Sequence, residues 1–248
     1  VSDPIHQFLI VPIQPFEIAG VDLSFTNSSL WMVIAAITST LFLMLSIEKQ
    51  ALIPSRFQAV SEMLYEFIGG LIRENTGSHG KQYFPLVFTL FVVVLMGNVL
   101  GLLPYSFTYT SHIIVTGTLA GIVFLTVTIF GFINHGWRFL SLFAPPGVPF
   151  ALQFLIVPLE LLSFITRPFT LSLRLFANMM AGHLMLKVFA GFSTMLVGLG
   201  GIGIIAGMVP MMFNVGILAM ELLVSCLQAY IFAVLTCIYL KDTVDLHH

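Results

Sequence analysis

The chain has 248 residues, 58% of them hydrophobic and only 8% charged, with nine Lys and Arg against eleven Asp and Glu and a mean hydropathy of +1.04. Soluble domains carry about a quarter charged residues and disordered chains are poor in apolar ones, so both classes are excluded. A net charge of −2 gives no electrostatic case for a nucleic-acid partner. An all-α membrane protein, with lipid as its main solvent, is what remains.

A hydrocarbon core of about 30 Å takes roughly 20 apolar residues per helix. The first such run is 29–47, without a charge. Next comes 55–74, where Phe57, Val60, Leu64, Phe67, Ile68 and Leu71 recur at helical spacing and Arg56, Gln58, Glu62 and Glu66 take other faces. That pattern predicts an amphipathic helix lying along the membrane interface, with a short soluble helix packed on a partner as the alternative. Two further spans follow at 84–103, ending at Pro104, and at 112–134.

Beyond Pro149 the chain stays apolar to Leu240, interrupted by a Gly-rich stretch from Gly191 to Gly203, which divides it into 151–190 and 202–240. Helices of about 40 residues would be about 60 Å long, twice the hydrocarbon thickness. They are either steeply tilted or broken at Pro158, Pro168 and Pro210. The favoured reading is a hairpin of two long, steeply tilted helices, giving about five membrane-embedded helices plus the interfacial one. No internal repeat supports an inverted-repeat transporter.

Lys49, Arg56, Arg73 and Lys81 lie in the first connection, Arg138 in the third and Lys241 in the tail, while the N-terminal segment, the loop from Pro104 to Ser111 and the Gly-rich stretch carry no Lys or Arg. Five crossings then place the N-terminus outside and all six cations inside. Cys226 and Cys237 read as small buried hydrophobes without metal spacing. No Gly-framed nucleophile and no phosphate-binding Gly loop followed by Lys is present, so no cofactor is expected.

From Gly147 to Leu240 only five charged residues occur, Glu160, Arg167, Arg174, Lys187 and Glu221, accompanied by Asn178, His183, Asn214 and Gln228. Ionisable groups within a bilayer cost several kcal/mol, so their default reading is functional, against helix-gluing ion pairs or snorkelling as the bland one. Glu160, Arg167 and Arg174 step by seven and share a helix face, with Asn178 one turn on. His183 lies nine residues past Arg174, about 180° around, with Lys187 four later on its side; Asn214, Glu221 and Gln228 again step by seven. Arg holds its proton at any biological pH and cannot relay one, but it can hold a carboxylate ionised and block a proton's direct passage. Glu and His can bind and release protons. A fixed cation flanked by titratable groups on a second face has the pattern of a gate between two proton half-channels.

The run Ser172-Leu173-Arg174-Leu175-Phe176-Ala177-Asn178-Met179-Met180-Ala181-Gly182-His183 resembles subunit a of F-type ATP synthases. The likeness extends to Pro104-Tyr105-Ser106-Phe107-Thr108, to Gln228-Ala229-Tyr230-Ile231-Phe232, and, in mitochondrial and close bacterial forms, to Asp3-Pro4-Ile5-His6-Gln7-Phe8 and Phe25-Thr26-Asn27-Ser28-Ser29. The resemblance implies that Arg174 is the essential stator arginine facing a carboxylate of the c-ring. It implies that His183 and Glu221 line the outer half-channel, in the His-then-Glu order of mitochondrial forms. Gln228 would be a partner near the arginine, Asn178 a polar channel residue, and Glu160 an acid of the inner half-channel; the role of Arg167 is less defined. Implied partners are the c-ring, the peripheral-stalk b subunits, lipid and the translocated protons. The location would be a bacterial inner membrane or the mitochondrial one. No nucleotide site is present, so any ATP chemistry belongs to the H+-transporting complex rather than to this chain. The competing classes are an independent ion-coupled transporter or channel and a structural assembly subunit.

Overall fold

The computed structural model describes residues 8–15, 17–18, 21–22, 24–47, 54–103, 106–143 and 149–244. Lys49, Pro104, Tyr105, residues 3–7 and residues 245–248 lie outside them. The protein is all-α, with two short antiparallel pairs near the N-terminus among the described residues. β1 (Pro12–Gln14) pairs with β4 (Phe25–Thr26), and β2 (Glu17–Ile18) with β3 (Val21–Asp22). Two or three residues per strand carry no alternation, so the sequence pattern gave no sign of them. Asn27 ties this ladder to the first helix. Its side chain accepts from the Val11 N–H at 3.2 Å and donates to the Leu9 carbonyl at 3.1 Å.

Helix α1 (Asn27–Ile47) begins there. Helix α2 (Arg56–Thr76) is capped by the Ser55 hydroxyl, which accepts from the Gln58 N–H at 3.3 Å, and it buries Ile68, Leu71 and Ile72. It stops at Gly77, whose φ of 65° is left-handed. A 3-10 segment, Gly77–Tyr83, leads into α3 (Phe84–Gly101), and α4 (Ile113–His135) follows a second short 3-10 turn at Tyr109–Ser111.

The last two helices are the longest. α5 (Phe150–Gly198) has 49 residues with Pro158 and Pro168 inside it, and α6 (Ile202–Val244) has 43 with Pro210 inside. These prolines do not divide the helices. Each removes one intrahelical hydrogen bond, a loss that a long, otherwise apolar helix absorbs. α5 also runs on through Gly191 and Gly198, so the turn narrows to residues 199–201, where Gly200 and Gly201 have φ of 67° and 51°. At about 1.5 Å per residue α5 is roughly 70 Å long, far beyond the thickness of a bilayer. Among the described residues, five helices are long and apolar enough to cross a membrane.

Contacts divide the chain into two compact units. The first comprises 1–39, 93–115 and 175–229; the second comprises 40–92, 116–174 and 230–248. In the first, Ala35, Phe107 and Tyr109 form a buried cluster with Trp31, Met32, Leu100 and Val115 against it. Gly97 makes room for the Tyr109 ring, whose hydroxyl donates to the Val93 carbonyl at 3.2 Å. Burial pushes that hydroxyl up to about 12, so it stays a donor. The α5–α6 turn closes in the same unit. Ser193 donates to the Gly207 carbonyl at 2.8 Å, Phe189 stacks on Phe213 at 6.2 Å, and a Cβ at Gly207 would meet Val197 at 2.6 Å. In the second unit, Phe124, Phe139, Phe143 and Phe164 form a ring cluster with centroids 5.1–6.4 Å apart. Of the two cysteines, Cys237 is buried; Cys226 is exposed, because the buried stripe of α6 passes through Ser225 and Ala229 instead.

Candidate functional site

The first unit brings two of the expected residues together. His183 of α5 and Glu221 of α6 approach to 3.8 Å between Nε2 and Oε1. They meet because Gly182 precedes His183: the Glu221 carboxyl lies where a Cβ on residue 182 would stand. Glu221 is 3% exposed, and neither carboxyl oxygen has a hydrogen-bond partner among the described residues. Buried polar atoms are ordinarily paired, which sets this carboxyl apart. The same His183 Nε2 lies 2.8 Å from the hydroxyl of Thr108, on the segment between α3 and α4.

His183 opens onto a cavity of about 670 Å³, lined also by Lys187, Thr108, Ser106, Asn27 and Trp31. The volume is many times that of one water. Further buried polar atoms of this unit have no partner among the described residues: Asn98 Oδ1, Thr110 Oγ1, Asn178 Nδ2, Asn214 Oδ1 and Ser225 Oγ. Asn98 makes one contact across the helices, donating to the Ser225 carbonyl at 3.4 Å. Asn178 and Gln228 make no hydrogen bond to His183 or Glu221 among the described residues; Gln228 is buried two turns beyond Glu221 on α6. Thr108, Asn98, Thr110 and Ser225 were not singled out from the sequence. Small uncharged groups carry no spacing signal, and an isolated Asn or Thr in an apolar run is ordinary.

In the second unit, Glu160 and Arg167 pair at 3.6 Å, both about a third exposed, and Arg167 also lies over the Tyr239 ring at 5.8 Å. Two members of the seven-residue stripe are thereby neutralised. Arg174, the third, is not. It is exposed at the middle of the apolar stretch 152–198 and has no ion pair or hydrogen bond among the described residues. No group of His, Cys, Asp and Glu there could hold a metal ion.

The described residues thus show a membrane protein of long apolar helices, with a close His–Glu pair beside a cavity and an arginine in an apolar stretch that no described residue neutralises. Residues 29–241 match the family model of the ATP synthase A chain, and the chain belongs to that family. It is 52% identical over 246 residues to "ATP synthase subunit a" of Mesorhizobium japonicum, covering 99% of this chain and 98% of that protein. The proteins of the same name from a Chelativorans species and from Rhizobium meliloti are each 53% identical, the first covering 100% of this chain and 99% of its own length, the second 98% and 97%.

Proposed function

We propose that the chain is the proton-translocating stator subunit of an F-type ATP synthase, with two aqueous half-channels that meet a rotating c-ring and Arg174 between them. The observation that carries this reading is Arg174 itself. A permanently charged guanidinium on an exposed helix face costs several kcal/mol in hydrocarbon unless a counter-charge meets it. Nothing described in this chain supplies one, so a carboxylate on a neighbouring subunit is the natural partner.

Protons enter from outside through the cavity beside His183, pass Glu221, and load a ring carboxylate. After nearly a full rotation they leave toward the inside near Glu160. Arg174 draws the carboxylate into its charged form, which releases the proton, and the same positive charge keeps protons from crossing between the half-channels. Asn178 and Gln228 supply polar positions along this route. The N-terminus lies outside and the C-terminus inside, in the inner membrane, with the b subunits of the peripheral stalk as further neighbours. Replacing Arg174 with Ala tests the reading. ATP-driven proton pumping by inverted membrane vesicles should fall to background, whereas normal pumping would contradict it.

A further inference from the structure

A second site lies at the end of α2, far in sequence from the proton-handling residues. Arg73, on the last turn of α2, and Lys81, on the following 3-10 segment, line one cleft of about 720 Å³. Both are exposed, and neither side chain makes an ion pair or hydrogen bond with another described residue. The walls are apolar: Tyr65, Ile72 and Phe84, with Gly69 leaving the Phe84 ring uncovered. Tyr65 and Phe84 hold each other at 4.6 Å between ring centroids. Among the described residues no carboxylate lines the cleft.

Its position narrows the choice of occupant. The apolar span that contains α3 starts at Gly80, so in a bilayer Lys81 and Phe84 would stand near the level where hydrocarbon gives way to headgroups. A floor of aromatic rings at that level suits an acyl chain and glycerol backbone, and paired cations at the rim suit a phosphate. A soluble anion would use the cations and leave the rings bare. We propose that this cleft binds one anionic phospholipid, its phosphodiester between Arg73 and Lys81 and its first acyl carbons against Tyr65, Ile72 and Phe84. The bound lipid would fasten the end of α2 to the membrane beside the start of α3.

Photoactivatable phosphatidylglycerol and phosphatidylcholine with identical acyl chains, incorporated into vesicles with the intact complex, test this. Labelling of the peptide spanning 65–85 should favour phosphatidylglycerol by roughly tenfold, given two cations at the surface. That preference should vanish in Arg73→Gln/Lys81→Gln, survive in Lys81→Arg, and resist millimolar inorganic phosphate. Gly69→Leu, which keeps both charges but fills the cleft, should lower labelling by either lipid. Equal labelling by the two lipids, labelling unchanged in the double variant, or displacement by phosphate alone would overturn the proposal. So would crosslinking of this segment to a protein subunit with no lipid label.

Discussion

Gly182 decides whether His183 and Glu221 can meet. A methyl group there would collide with the Glu221 carboxyl and push it off its line to His183. Gly182→Ala should therefore cut proton-driven ATP synthesis by on the order of tenfold or more, since small displacements of a reacting group are that costly. Gly191→Ala is the matched control: a Cβ at residue 191 meets nothing within 4 Å, so synthesis should stay at the wild-type rate. Equal rates in the two variants would remove Gly182 from the site. The cavity beside His183 has its own test. Cysteines at 183 and 221 should react with polar thiol reagents added from outside, and protection of both would contradict a shared wet path. At this scale the sequence was informative about charge and silent about small groups. Arg174, His183 and Glu221 stand out because an ionised or titratable side chain in an apolar run is rare. Thr108 and Asn98 do not, since only the folded chain brings Thr108 to His183 and Asn98 to the Ser225 carbonyl. Spacing alone also put Glu160, Arg167 and Arg174 on one face, without indicating that the first two pair and leave the third unneutralised.

The hairpin of α5 and α6 depends on close approach just after its turn. Gly207 faces Val197 and the Ser193 backbone with no room for a side chain. Gly207→Leu should part the helices and lower the protein's stability by about 1–3 kcal/mol, as overpacking of a tight contact does. Thermal unfolding in detergent would register it as a lower midpoint, and an unchanged midpoint would mean that the hairpin does not rely on this contact. The spans themselves are legible as long, largely apolar runs, and α2 as an amphipathic one. Their continuity through proline is not, because a proline's cost is local and composition does not show whether the rest of the helix outweighs it. The β pairs are not legible in the sequence for the opposite reason: they rest on backbone pairing and on the Asn27 side chain, neither of which leaves a periodic pattern.

For the whole molecule, the proposed role gives the lengths of α5 and α6 and the isolation of Arg174 the same kind of neighbour. Helices of 49 and 43 residues cannot stand upright in a bilayer, and lying obliquely they could follow the wall of a rotor. The exposed face of α5 continues from Arg174 through Ala177 and Ala181, small residues that would let a second helix come close. Orientation is independently testable: Arg73 and Arg138 fall on the inside if cations mark that surface, so cysteines beside them should be labelled only from the inside, and labelling from outside would reverse the topology. The most direct measurement identifies what lies opposite Arg174. Single cysteines placed by Thr170→Cys, Ala177→Cys and Ala181→Cys, oxidised in the intact complex against a cysteine scan of the ring's carboxylate-bearing helix, should form disulfides centred on the turns flanking that carboxylate. Crosslinks only to other stator helices, or none to the ring, would contradict a ring-facing arginine.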